Sequence, residues 1–140
     1  MPANKIVVHG RDGSIVKGTT SDFLPKKPFF HVAVGGMSSD KTKRIFVKNL
    51  KAIFFVKDFA GDKNHGDRDG VEASASLGKK IRALFKDGEI ISGYSHSFSM
   101  YQTGFFLVPA DAKSNNERIF IVFSSLSQLE VNGSLVTMPQ

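Results

Sequence analysis

The chain has no cysteine and no tryptophan, and only two tyrosines in 140 residues. Without thiols it can build neither a disulfide framework nor a thiolate-ligated zinc site, and it has no cysteine nucleophile. Long apolar runs are missing too. The longest, Ala52 to Val56 and Ile119 to Phe123, are five residues each, against roughly 20 for a membrane-crossing helix. No positively charged, apolar leader opens the sequence, so the expectation is a cytoplasmic protein without a membrane span.

What the chain has instead is phenylalanine, thirteen residues of it, and positive charge, a formal net +6. The charge is uneven: residues 1 to 70 hold 13 Lys/Arg against 7 Asp/Glu, and residues 71 to 140 hold 6 against 6. A one-sided excess can serve solubility or face an anionic partner.

The chain also copies itself. Ile6, Asp12, Gly13, Gly18 and Phe23 return 75 positions later as Ile81, Asp87, Gly88, Gly93 and Phe98, and Phe30 returns as Phe105. Arg44-Ile45-Phe46 reads onto Arg118-Ile119-Phe120 after a loop of different length, and Val47, Leu50 and Ile53 onto Phe123, Leu126 and Leu129. Self-similarity of this kind points to a duplicated unit.

Each copy opens with β-branched runs around an Asp-Gly pair, which predicts a hairpin with a type I′ turn. Gly18 and Gly93 fall inside the second strand, where a glycine marks a bulge or sharp bend. An aromatic third strand follows, Phe29 to Val34 or Gly104 to Val108. Two further short strands, Ile45 to Lys48 with Ala52 to Val56 and Ile119 to Phe123 with Gln128 to Val131, flank a tight helical turn around Leu50 or Leu126. The expected fold is all-β: two tandem small SH3-like or Sm-like barrels from an internal duplication, packed as a pseudo-symmetric pair. The boundaries are 1–57 for the first barrel, 58–78 for a mobile linker, and 79–140 for the second barrel, whose Asn132-Gly133 turn adds a C-terminal hairpin.

The sequence names a fold and no activity. His9, His31, His65 and His96 lack metal-ligand spacing, and the acidic stretch from Asp58 to Asp69 lacks the register of a calcium loop. Gly93 to Ser97 is not a nucleophile elbow, and Gly35 to Thr42 is not a phosphate-cradling loop. No enzyme, metal or cofactor is expected. Two stretches stand out as binding candidates. Lys26, Lys27 and Phe29, with Lys41, Lys43 and Arg44, interleave cations and rings as a single-stranded nucleic-acid platform does. Lys57, Asp58, Phe59 and Asp62 offer an aromatic among charges, suited to anchoring a protein partner.

Lys17 to Phe23, Leu50 to Asp62, Phe85 to Tyr94, Gly104 to Asp111 and Asn115 to Val122 resemble a family of small bacterial proteins and domains of unassigned function, some fused to PilZ-type signalling domains. That resemblance implies regulatory work. The two copies are more distantly similar to Sm-type barrels, but Asn115-Asn116-Glu117-Arg118 stands where those carry a nucleotide-gripping pair. The expected function is a non-enzymatic binding module, a protein-protein adaptor in a regulatory pathway, with nucleic-acid or nucleotide binding through the basic first half as the alternative.

Overall fold

The computed structural model describes residues 4–34, 41–57, 78–96, 98, 103–110 and 115–137. They hold β1 (Asn4–Gly10), β2 (Ile15–Thr20), β3 (Phe29–Val34), β4 (Lys41–Phe46), β5 (Leu50–Val56), β6 (Lys79–Phe85), β7 (Ile90–Ser95), β8 (Gly104–Pro109), β9 (Asn116–Val122), β10 (Leu126–Val131) and β11 (Ser134–Leu135). A 3₁₀ turn, Val47–Asn49 or Phe123–Ser125, joins β4 to β5 and β9 to β10. The linker expected over 58–78 lies outside the described residues except for Gly78, as does the loop 35–40.

All eleven strands form one antiparallel sheet, in the order β11-β10-β6-β7-β8-β9-β5-β1-β2-β3-β4. The sequence leads one to expect two closed units side by side. The strands instead run on from one half to the next, because β5 of the first half pairs with β9 of the second from Ala52↔Ile121 to Val56↔Asn116. Within each half the strands follow one order, β5-β1-β2-β3-β4 and β10-β6-β7-β8-β9.

The pairing explains the two longest apolar runs. A strand buried on one face alternates apolar and polar residues; one buried on both faces is apolar throughout. In β5, Ile53 and Phe55 point into a core with Ile6, Val8, Phe30 and Val32, while Ala52, Phe54 and Val56 point into a second core with Ile81, Ala83, Phe105 and Leu107. In β9, Phe120 and Val122 belong to the first core and Ile119 and Ile121 to the second. Each core is thus completed by a strand from the other half.

Register repeats locally. Ile6 faces Gly18 and Ile81 faces Gly93. A Cβ on Gly18 would lie 2.4 Å from the Ala33 carbonyl oxygen, and one on Gly93 2.1 Å from that of Val108, so both positions admit only glycine without a shift of the neighbouring strand. Phe23 and Phe98 stand edge-on to Phe30 and Phe105, with centroids 5.2 and 5.1 Å apart.

Phe30 pairs with Ile45 and Phe105 with Ile121, so β4 maps onto β9 at an offset of 76, with Arg44 on Phe120, and not on Arg118. A shift of two residues conserves the facing of every side chain, which is why the sequence hides it. The Asp-Gly hairpins are not type I′: Gly13 and Gly88 alone take positive φ. Gly10 N–H donates to Ser14 O and Gly13 N–H to Gly10 O, repeated by Phe85 with Glu89 and Gly88 with Phe85. That is a three-residue loop ending in a left-handed bulge glycine, held by the Asp12 and Asp87 carboxylates accepting the N–H groups of Ser14 and Glu89. Asn132 and Gly133 both have positive φ and return the chain so that β11 pairs with Glu130 and Val131.

Candidate functional site

β4 is the last strand at one end of the sheet, and among the described residues no strand pairs with its outer side. Period-two alternation sends Phe30 and Val32 of β3 into the core and leaves Phe29 and His31 outward. Across β4, Phe29 faces Phe46 and His31 faces Arg44, so the outward face collects two rings, an imidazole and a guanidinium. The Phe29 and Phe46 centroids are 5.7 Å apart. The Arg44 guanidinium sits 5.5 Å and the Lys27 ammonium 5.9 Å from the Phe29 ring, inside cation–π range. Phe46 is 42% exposed.

Asp22 fixes this face from behind. One carboxylate oxygen accepts from His31 N–H at 2.9 Å and Thr20 Oγ1 at 3.1 Å, and the other meets His31 Nδ1 at 2.7 Å. Partial burial pushes the Asp22 pKa up, but the His31 and Thr20 hydrogen bonds outweigh it and hold the carboxyl below its ordinary value.

Of the residues singled out for nucleic acid, Lys27, Phe29 and Arg44 come together. Lys26 is exposed on the connection from β2 to β3. Lys43 lies opposite Val32 and therefore on the other face of β4 from Arg44; Lys41 pairs with Val34 through the backbone. His31 and Phe46 complete the cluster; Phe46 is the new member, and its signal is period-two alternation, once β3 and β4 are paired. Lys57 is exposed, and its N–H donates to Asn115 O at 2.9 Å. Asp58, Phe59 and Asp62 lie outside the described residues.

Beside the C-terminal end of β4 opens a cleft of about 670 Å³, lined by Gly10, Arg11, Asp12, Ser14, Arg44, Ile45, Phe46, Asn49 and Leu50. A second cleft of about 490 Å³ lies where the halves meet, lined by His9, Arg11, Asp12, Lys51, Lys86, Asp87 and Ser125 among others. Lys51 crosses this junction. His9 pairs with Ala52 and Gly10 with Leu50, which leaves Lys51 as the extra residue of a bulge, a device that re-aims a side chain. Its ammonium lies 2.7 Å from Asp87 Oδ2, donates to Glu89 Oε1 and covers the Phe85 ring at 4.8 Å, while its carbonyl accepts from Ser125 Oγ at 2.9 Å.

Burial lowers the Lys51 pKa, but hydrogen bonds and charge from Asp87 and Glu89 more than offset that and raise it. Asp87 is depressed in turn, chiefly by the Lys51 hydrogen bond. His9, packed edge-on to Phe54 at 4.6 Å, is pushed down first by burial and then by the Lys51 charge.

The two buried serines serve the backbone: Ser95 Oγ donates to Phe106 O, and Ser125 Oγ bonds both the Val122 and Lys51 carbonyls. Among the described residues no three His, Asp or Glu side chains gather as a metal site, and no helix is long and apolar enough to cross a membrane. The arrangement offers a strand edge, an aromatic-cationic face and a cleft, which are means of binding. No curated protein and no solved structure matches the chain. A family model does match, over residues 2–133, and the chain belongs to that family, a family of unknown function designated DUF6982.

Proposed function

We propose that the protein is a non-enzymatic bacterial binding module, a protein-protein adaptor of the cytoplasm, made of two small SH3-like barrels from an internal duplication that share their central strand pair. Its docking surface is the β4 edge with the outward face of Phe29, His31, Arg44 and Phe46. One observation carries this reading: β9, the counterpart of β4, is paired along its length by β5, whereas β4 has no strand on its outer side among the described residues. An open edge recruits an extended segment through backbone hydrogen bonds and selects it through side chains that alternate on the two faces.

Phage-displayed random dodecapeptides selected on the full chain test it. Binders are expected that lose at least tenfold in affinity on Phe46→Asp and on Lys43→Glu, the second altering an exposed side chain on the edge itself. A set of binders indifferent to both substitutions overturns the reading.

A nucleic-acid reading is favoured by one observation, the Lys27 and Arg44 cations beside the Phe29 ring, the components of a base-stacking platform. Titration of labelled single-stranded oligonucleotides separates the two. Binding that falls steeply with salt and vanishes on Lys27→Glu and Arg44→Glu supports nucleic acid; peptide binding that changes little with salt supports the adaptor.

A further inference from the structure

Superposing the registers of the two halves describes what the open edge lacks. At the offset of 76, Ile45 corresponds to Ile121, Asn49 to Ser125 and Leu50 to Leu126; at 75, Arg11 corresponds to Lys86 and Asp12 to Asp87. The backbone supports the match: Arg11 N–H donates to Asn49 O as Lys86 N–H does to Ser125 O. Val47 N–H likewise donates to Pro28 O as Phe123 N–H does to Thr103 O. The cleft beside β4 is therefore the counterpart of the place in the second half that β5 fills.

There, Lys51 of β5 binds Asp87, its carbonyl takes the Ser125 hydroxyl, and Ala52 lies opposite a fully buried Ile121. In the first half no described strand fills the same cradle. Ile45 is only half-buried and lines the cleft with Asp12 and Asn49, and among the described residues the Asp12 carboxylate is bonded only to Ser14. Gly10 stands where the second half has Phe85, which leaves the cleft wider. One position differs in charge. Phe54 of β5 lies opposite Ile119, whose counterpart on β4 is the exposed Lys43.

We infer that the β4 edge takes an extended segment of a partner protein carrying a lysine or arginine, a small apolar residue directly after it, and an acidic residue two positions further on. The basic residue reaches Asp12 as Lys51 reaches Asp87. Its carbonyl meets the Asn49 side chain. The small residue covers Ile45 as Ala52 covers Ile121, and the acid lies across from Lys43, where opposite charges directly facing each other are favourable. The order runs antiparallel to β4, as β5 does to β9.

The end strands of a second copy do not supply that pattern: β4 (Lys41–Phe46) has no acidic residue and β10 (Leu126–Val131) no basic one, and β5 is committed to β9.

This inference rests on the docking reading above, and the same peptide selection tests both separately. Among clones weakened by Phe46→Asp, the enriched pattern is expected to be basic, apolar, any residue, acidic. A synthetic peptide of that pattern is expected to lose at least tenfold in affinity for the Asp12→Lys protein, and to regain it when its basic residue is replaced by glutamate. On Lys43→Glu protein, selection is expected to replace the acidic position with lysine or arginine. Clones that bind at the edge without the pattern, or whose affinity ignores Asp12→Lys, overturn the inference and leave the docking site standing. An absence of any edge-sensitive clone overturns both.

Discussion

The two halves share strand order and register, yet β9 of one is paired on its outer side by β5, whereas its counterpart β4 in the other has no strand there among the described residues. At the junction, Phe54 and Phe120 face out of their own halves and are buried in the other. The corresponding residues at the two ends of the sheet are Glu130 and Arg44, both outside the core. Ala52 likewise corresponds to Gln128, which is exposed. The end strands carry the charges that natural sheets use to discourage edge-to-edge association, and β11 covers part of one end besides. Two apolar outward strands make a shared core, and two charged ones stop the sheet from growing. Phe46, an exposed ring beside Phe29, is the exception at the open end.

The sharpest way to break this comparison is to truncate equivalent positions. Phe120→Ala removes a fully buried ring and is expected to cost about 3–5 kcal/mol, whereas Arg44→Ala is expected to stay within about 0.5 kcal/mol. Urea unfolding of both variants measures the difference, and similar costs would mean that the halves are not joined through β5 and β9.

Next in size are the strand glycines. Gly18→Ala and Gly93→Ala each push a methyl against a carbonyl oxygen and are expected to cost about 1–3 kcal/mol. Gly93 is the worse of the two, because its contact is closer. Thermal melts that leave either variant unchanged would contradict the close approach of β2 to β3 or β7 to β8.

Smaller still is the junction ion pair. Its carboxylates are half exposed, so Lys51→Met is expected to cost about 1 kcal/mol or less. The pH dependence carries the diagnosis. Asp87 has its folded pKa depressed below 3.8, so its contribution is present above pH 3.8 and is lost as the pH falls through the folded value. Lys51 has its folded pKa raised above 10.5, so its contribution is present below pH 10.5 and is lost as the pH rises through the folded value. The stability gap between native chain and Lys51→Met should be flat from pH 6.5 to 10.5 and shrink above it; in acid it should shrink first as His9, whose pKa the Lys51 charge lowers, takes up a proton, and then as Asp87 does. A gap that grows in acid would contradict the pairing. Asp12, whose carboxylate among the described residues meets only Ser14, should titrate alike in the native chain and in Lys51→Met.

A change of similar size is removal of residues 134–140. Ser134 and Leu135 are exposed, so the cost, about 1 kcal/mol, comes from half-buried Val136 and its N–H bond to Leu129 O, and the bared β10 edge should self-associate as concentration rises in sedimentation velocity. A truncated chain that stays monomeric would deny β11 its role as a cap.

Much of this comparison is local and legible in sequence. The two Asp-Gly pairs locate the hairpins, the paired glycines locate the bent strands, and Phe23 and Phe98 locate equivalent rings, because turn geometry and period-two alternation act over a few residues. The same periodicity concealed the true offset of β4, since a two-residue slip conserves every facing. It also left Phe46 out of the candidate site, because its place beside Phe29 depends on which strand lies next to β3.

The amino-acid sequence by itself determined that this is a β protein of two alike halves with a basic first half, since strand, turn and bend signals are written in neighbouring residues. Only the tertiary structure decided that β5 and β9 pair, that Lys51 of one half serves the aspartate of the other, and that β4, beside a cleft, has no strand on its outer side among the described residues. Partner choice between strands separated by more than 60 residues is set by which pairing buries two apolar faces at once, and the runs Ala52 to Val56 and Ile119 to Phe123 state that need without naming who meets it.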